Sequence, residues 1–414
     1  MSESPTGSTA GTNGLPRVVI AGGGIAGLEA ALALHQLLPR RAASVTLVAA
    51  EPDFTYKPMV VAEPFSREPA ERRALAPALG ELGMAFVQGA VREVRPEVHA
   101  IELAGGDRLG YDLLVVAVGA RARPALPSAE TFWAARGDLP IDELLDRAGA
   151  SPTRTLAFVV PGGCSWPLPL YELALMTRRR TEERGGPYGL RLRVLTPEAC
   201  PLAIFGAPAT AAVSSLLGAR GIEVEPFSTV VEEDGVMRIH PAGASLDAGA
   251  VIALPVLEGP RVAGLPMDEH GFTPIDEYAR VPGVKDVYAA GDGTTFPVKQ
   301  GGIATQQADA AAGHIAARLG ATAEPKPFEP VLRGQLITGP ESLNLSHELS
   351  GGHGEGVASL DYLWWPPGKV AGRYLGPWLA GTVPEEGLEP PSRPLEVEVA
   401  LPHEWHGSPM ALDP

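Results

Sequence analysis

RVVIAGGGIAGLEAALALHQLLPRRAASVTLVAAE, residues 17–51, contains the strongest structural signal in the chain. Val18, Val19, Ile20 and Ala21 form an apolar run of strand length, and a glycine cluster stops it at once. Gly22, Gly24 and Gly27 spell G-x-G-x-x-G. From Leu28 to Leu38 an Ala/Leu-rich segment runs without a breaker until Pro39, the pattern of a helix. A second β-branched run follows, Val45-Thr46-Leu47-Val48, with Glu51 just beyond its end. Strand, glycine turn, helix, strand and acid in this order give the dinucleotide-binding fingerprint its required context. Gly22 permits the tight turn, Gly24 lets the backbone approach a pyrophosphate, and Gly27 lets the helix lie close to the strand. The helix N-terminus offers phosphates its unpaired N–H groups and a partial positive charge. One departure matters. The acid is expected to close the strand, where Ala49 stands, so Glu51 is either the ribose acceptor or a solvated loop carboxylate.

At 414 residues the chain is too long for one ordinary core, and two or three domains are expected. Its apolar runs are broken by Gly, Pro or charge well short of the roughly 18 residues of a membrane span. The opening MSESPTGSTAGTNGLP has neither a basic region nor an apolar core, so residues 1–16 read as a disordered leader and not a signal peptide. Two cysteines make no disulfide framework, which fits a cytoplasmic location. A formal charge of −16 excludes nucleic acid as a partner and argues against adhesion to anionic lipid. The nine histidines are scattered, and no metal-ligand cluster is evident.

After Glu51, PDFTYKPMVVAEPF reads as an aromatic, proline-rich loop. Leu79 to Val87 gives a helix end and a strand, and Val91 to Leu103 alternates like a hairpin. Leu113 to Val118, ending in Gly119, is a continuous apolar strand suited to the centre of a parallel sheet covered on both faces. Thr155 to Val160, the segment before Cys200, a helix over 207–218 and two strands in GIEVEPFSTVVEEDG form a second βαβ-like unit. The first unit then resumes with Val287 to Asp292 and a helix from Ile303 to Leu319. The fold class read from this order is α/β, with two Rossmann-like dinucleotide-binding domains, the second inserted in the first, and a small C-terminal region. The expected boundaries are 17–124 with 270–320 for the first domain, 125–269 for the insert, 321–380 for the C-terminal region, and 381–414 for a Pro/Glu-rich tail.

Three pieces coincide: G-x-G-x-x-G, LLVVAVGA about a hundred residues on, and VYAAGD near residue 290. Together they resemble the two-dinucleotide-domain flavoproteins built like glutathione reductase. FPVKQGGIATQQADAAA and WWPPGKVAGRYL narrow the resemblance to sulfide:quinone oxidoreductases, flavocytochrome c sulfide dehydrogenases and type II NADH dehydrogenases, over residues 17 to about 378. The resemblance implies a non-covalent FAD held by Gly22, Gly24, Ile25, Ala26, Gly27, Glu51, Lys57, Val91, Ala117, Gly119, Gly291, Asp292, Lys299, Gly302 and Ile303. In it, Asp292 reaches the ribityl chain, while Lys299 and the helix N-terminus near Gly302 favour negative charge on the reduced ring. Asp292 as a turn residue, and Lys299 and Lys57 as solvated loop lysines, are the plainer alternatives.

The turn after Thr155–Val160 reads Pro161-Gly162-Gly163-Cys164-Ser165-Trp166-Pro167-Leu168-Pro169. Proline has no N–H to offer a pyrophosphate, and Trp166 fills room a nicotinamide cofactor needs. The sulfide-oxidising members of the resemblance carry a cysteine in this turn, followed by Pro-x-Tyr-Glu, matched here by Pro169-Leu170-Tyr171-Glu172. Cys164 and Lys299 are therefore the candidate catalytic residues. At the start of a helix the Cys164 thiol is expected to have a lowered pKa; a small thiol filling a tight turn is the alternative. The second cysteine of that chemistry is missing, since none follows Cys200. Trp364, Trp365, Tyr374 and Trp378 either cover a flavin and form a quinone pocket or pack as core or dimer-interface aromatics. Implied partners are a small donor and acceptor, a quinone among them, with at most peripheral membrane contact. The homodimer is an open arrangement. An NADH-oxidising enzyme and a non-catalytic flavin-binding sensor remain as rival readings.

Overall fold

The computed structural model describes residues 14–39, 41–66, 69–132, 138–185, 189–321, 324–339, 342–349 and 356–382. Most of the expected leader, and the tail from 383 onward, lie outside the described residues.

The fingerprint segment folds as strand Arg17–Ala21, helix Ile25–Leu37 and strand Ser44–Ala49. These two strands pair in parallel, with Val19 opposite Thr46. Leu113–Val116 joins the other side of the first strand, also in parallel, and Val287–Ala289 pairs beyond it. All four residues of Leu113–Val116 are buried because helices and loops cover both faces. With Ala85–Gln88 outermost on the far side, five strands complete this sheet. Chain order reverses across Arg17–Ala21, so a crevice opens at the carboxyl ends of the strands there. Helix Gly301–Arg318 packs on helix Ile25–Leu37. Small residues on both sides (Ala30, Ala33, Ala308, Ala311) are fully buried and allow that approach.

The inserted unit is a second parallel sheet, ordered Glu130–Thr131, Ala250–Ala253, Thr155–Val159, Arg191–Leu195, Ile222–Glu225. Its covering helices are Ile141–Ala150, Leu168–Glu183 and Gly206–Ala219. Arg121–Arg123 and Val256–Glu258 pair antiparallel where the chain leaves and re-enters. Val262 and Leu265 are already buried in the first core, so the chain returns to it ahead of residue 270.

The C-terminal region is a three-stranded antiparallel sheet, Val331–Ile337, Ser342–Glu348 and Val357–Ser359. Leu332, Leu336 and Leu345 bury against the insert in a shared second core. Gly334 is glycine for a packing reason: a Cβ there would lie 2.7 Å from the Phe205 ring. The segment 360–374 that follows is irregular and runs back over the crevice. Helix Gly301–Arg318 serves both cores, with Ala308 and Ile315 in the first and Ile303 and Ala310 in the second.

Candidate active site

The crevice deepens into one elongated cavity of about 550 Å³, within the roughly 300–1,000 Å³ usual for cofactor and small-molecule sites. One end is lined by Glu51 and Gly89–Val91, the middle by Gly22–Ala26, Ala117, Gly119, Gly291 and Asp292. The lining also includes Lys57, Lys299, Gln335, Lys369 and Val370, together with Phe132, Trp166 and Pro169.

The glycine turn is built by close backbone approach. Gly22 sits at φ +126°, and a Cβ there would lie 2.1 Å from the Ala117 carbonyl oxygen. The Gly22 N–H donates to Val48 O at 2.7 Å, so three strand ends meet at this residue. Gly27 lies against the same turn, where a Cβ would be 1.9 Å from Gly22 O. Gly24 faces open space with nothing within 4 Å of its Cβ position. Open room beside the N-terminus of helix Ile25–Leu37 is what an anionic diphosphate requires.

Asp292 is positioned by the turn around it. The Gly291 N–H donates to Gln307 Oε1 at 2.7 Å, and Thr294 Oγ1 donates to Gly291 O at 3.0 Å. Burial raises the Asp292 pKa, opposed by the positive charges of Lys299 and Lys57. Lys299 is itself buried, donates to Thr294 O and lies 3.9 Å from the centre of the Phe272 ring. Burial pushes its pKa down to about 8, with Asp292 and Asp268 pulling the other way.

Three of the residues expected at a cofactor do not line the cavity. Gly27 packs helix to turn. Ile303 is buried in the second core, and its N–H is taken by Gln300 Oε1 at 2.9 Å. Gly302 lies behind the same Gln300 side chain, so Gly301 and Gln300 line the cavity in its place. A glutamine capping its own helix is visible only once the backbone is folded.

Cys164 also lies outside the lining. It sits in the turn ahead of helix Leu168–Glu183, not at the helix start. The expected lowering of its pKa is reversed: burial pushes the thiol up to about 12, and the Glu198 carboxylate adds to this. The backbone hydrogen bond of Trp166 offsets only part of the loss of water. Cys164 and Cys200 are both free, and Cys200 is exposed. The inserted turn is filled by its own side chains. Trp166 packs edge-on against Phe205, ring centres 5.7 Å apart. Glu198, just past strand Arg191–Leu195, accepts from Tyr171 Oη at 2.7 Å and Thr196 Oγ1 at 3.0 Å.

Trp364 and Tyr374 are buried, Trp365 is half exposed, and Trp378 packs edge-on against Phe54. None of the four lines the cavity; Phe132 and Trp166 supply its aromatic wall. What that C-terminal segment contributes is Lys369. Its Nζ donates to Glu172 Oε2 at 2.5 Å, and both residues are buried. Burial lowers the lysine pKa and raises that of the glutamate, while each partner's charge opposes the other's shift. The sequence signals were a lysine in a Pro-Pro-Gly turn and a lone acid inside the apolar stretch LPLYELAL.

Comparison with known proteins agrees with this architecture. A profile of the pyridine nucleotide-disulphide oxidoreductases matches residues 16–313. The sulfide-quinone reductase of Aquifex aeolicus (strain VF5) is 24% identical over 304 residues, covering 68% of this chain and 69% of that protein. An alternative NAD(P)H-ubiquinone oxidoreductase C1 of Arabidopsis thaliana is 27% identical over 336 residues, covering 70% of this chain and 64% of that protein. The crystal structure of the sulfide:quinone oxidoreductase from Aquifex aeolicus superposes with a TM-score of 0.73 at 19% identity, over 83% of this chain and 86% of that one.

Proposed function

We propose, from a chain that belongs to the pyridine nucleotide-disulphide oxidoreductase family, that this protein is an FAD-dependent enzyme. It passes two electrons from a small, sulfur-containing donor to a quinone. The observation that carries the reading is one cavity lined both by the Gly22–Ala26 turn and by two buried lysines, Lys299 and Lys369, with Phe132 and Trp166 also in its wall. FAD would be held non-covalently by the Gly22–Ala26 turn, with Glu51 and Val91 at its adenosine end and Gly119, Gly291, Asp292, Lys57 and Lys299 toward its ring. Bound there, it would supply a two-electron carrier.

Each residue at the ring end has a separate task. Lys299 holds positive charge beside the ring. Phe132, Trp166 and Pro169 exclude water and present a flat apolar surface to the acceptor. Lys369 holds a proton within reach of an acceptor carbonyl oxygen, and Glu172 keeps that lysine charged in a buried setting. Two features weigh against NAD(P)H as donor: Trp166 of the inserted turn packs against Phe205, and Glu198 is turned inward onto Tyr171. The sulfur donor is supported by the resemblance to a sulfide-quinone reductase. The half-buried Cys164, outside the lining and with its thiol pKa pushed up, gives it no support, so in this reading the donor reacts directly at the ring.

The test is an anaerobic titration of the purified protein followed by flavin absorbance. Sulfide or a low-mass thiol should bleach the flavin, and a soluble quinone should restore it. Bleaching by NADH at turnover rates would reject the donor assignment. Refusal by every donor would leave a flavin-binding protein, and a colourless protein that takes up no FAD would end the reading.

Two substitutions sharpen this. Cys164→Ser should leave the flavin reduction rate by sulfide within about twofold, because a neutral thiol outside the cavity neither attacks nor holds the donor. A stopped-flow loss of tenfold or more would restore the cysteine to the chemistry. Lys299→Met should lower the two-electron midpoint potential of the bound flavin by about 30 mV, equivalent to about 1.4 kcal/mol. The native lysine is charged below a pKa of about 8 and loses its charge above it. The difference from the variant is therefore present at low pH and closes as pH rises through 8, which spectroelectrochemistry across pH 6–10 reads directly.

A further inference from the structure

Glu29 lies on helix Ile25–Leu37, two residues past the last glycine of the motif, and is fully buried. Its carboxylate accepts the N–H of Tyr374 at 2.9 Å and of Leu375 at 2.6 Å. The first amide is the last of the irregular strap that carries Lys369 and Val370 into the cavity, and the second opens helix Leu375–Ala380, which the strap leads into. The strap has further ties along its length. Val370 N–H donates to Tyr56 Oη at 2.9 Å, and Thr305 Oγ1 donates to Ala371 O at 3.2 Å. Gly372 is threaded past the carboxylate, where a Cβ would lie 2.9 Å from Glu29 Oε2 and 3.0 Å from Leu375 Cβ.

A neutral side chain would suffice to accept two amides. What stands there is an acid beside a second acid, Asp309 of helix Gly301–Arg318, whose buried Oδ1 has no hydrogen-bond partner among the described residues. Burial raises the Asp309 pKa and the neighbouring Glu29 carboxylate raises it further, so Asp309 is the member of the pair that keeps its proton. The titratable groups facing the pair are Arg373, a fixed positive charge, and the neutral Tyr374, both from the strap itself. Both acids sit on helices whose N-terminal ends line the cavity, so the strap is referenced to the same rigid elements that shape the site.

We propose that Glu29 is the positioning residue for the strap Lys369–Leu375, fixing where Lys369 enters the ring end of the cavity, with Asp309 retaining the proton that lets the two acids coexist. The consequence for turnover rests on the reading of Lys369 given above; the holding of the strap does not. Burial raises the Glu29 pKa to about 7. The strap amides donate more strongly to an ionised carboxylate than to a neutral one. The strap is therefore held more firmly as pH rises through 7, once intrinsic exchange rates are corrected for.

The experiment is hydrogen–deuterium exchange on the full chain, native against Glu29→Gln, between pH 6 and 8, together with kcat and KM for a soluble quinone. In the native protein, protection of the peptide spanning 369–375 should rise through pH 7. In Glu29→Gln the pH trend should be lost and exchange there should speed up by about tenfold, matching the loss of one charge-assisted bond. Quinone kcat should fall while flavin content and quinone KM stay near native. Tyr56→Phe removes the single oxygen that accepts the Val370 N–H of the same strap and should reproduce the kcat loss with faster exchange at 370–371, which keeps the test open if Glu29→Gln folds poorly. Unchanged exchange over 369–375 in both variants overturns the proposal. Faster exchange with unaltered quinone kcat overturns the positioning role. A colourless protein would remove the reading of the cavity, while the exchange data alone would still decide whether Glu29 holds the strap.

Discussion

Gly22→Ala yields a destabilised protein that retains no flavin. The new methyl would stand 2.1 Å from the oxygen and 2.4 Å from the carbon of the Ala117 carbonyl, both backbone atoms that cannot rotate away. It would also force a side chain to adopt φ +126°. Holding a non-glycine residue in such a conformation costs about 1–3 kcal/mol, and overpacking of this kind costs about as much again. The sum, about 2–6 kcal/mol, is a large part of the roughly 5–15 kcal/mol by which a domain is stable. Relief requires parting strand Arg17–Ala21 from Leu113–Val116, which opens the turn that lines the cavity. Gly24→Ala is the matched control. Its methyl meets nothing within 4 Å, so the fold should melt as the native protein does. That methyl projects into the space assigned to the diphosphate, so flavin content should drop with stability intact. Thermal melts and the ratio of flavin to protein absorbance separate the two. A Gly22→Ala protein that melts within a degree of native and stays yellow would mean the turn is not set by this contact.

Glu172→Gln should lose about 3–5 kcal/mol, the usual penalty for leaving one member of a buried ion pair without its partner. The amide still accepts the Ile337 N–H that Glu172 takes at 2.7 Å, so the loss isolates the charge on Lys369. Its pH dependence has a definite sign. Burial already lowers the Lys369 pKa, and without the carboxylate the folded value falls further. Between that value and the unfolded lysine value of about 10.4, the unfolded chain binds more protons than the folded one. Stability of the variant must therefore rise with pH across this window. The double variant Glu172→Gln with Lys369→Met should recover most of the loss in urea melts, because neither charge remains to be buried. Quinone reduction should fall by about 10²–10⁴ in Lys369→Met, the range for removing a proton donor. If the double variant is as unstable as the single, the pair is not coupled as its geometry requires.

Much of this was readable from local pattern. G-x-G-x-x-G between two apolar runs specifies a strand, a left-handed turn and a helix, because only glycine tolerates φ +126° and the approach of Ala117. Leu113–Val116 had to be central in a parallel sheet, since a strand without polar alternation has no face for water. The Cys164 expectation failed for an equally local reason. Its spacing from the helix suggested an N-terminal thiolate, but the helix begins at Leu168, and burial dominates the thiol. Gly302 and Ile303 were assigned from a helix N-terminus whose N–H is already taken by Gln300, a side chain that no periodicity marks as turned inward.

The sequence by itself determined the two parallel sheets, the insertion of one in the other and the glycine-lined middle of the cavity. These follow from steric rules acting over a few residues. Only the tertiary structure decided what stands at the ring end. Lys369 meets Glu172 across 197 residues, and Glu29 meets Tyr374 across 345. Such pairs form where surrounding chain removes water from both partners, and that exclusion belongs to the packed molecule, not to either segment alone.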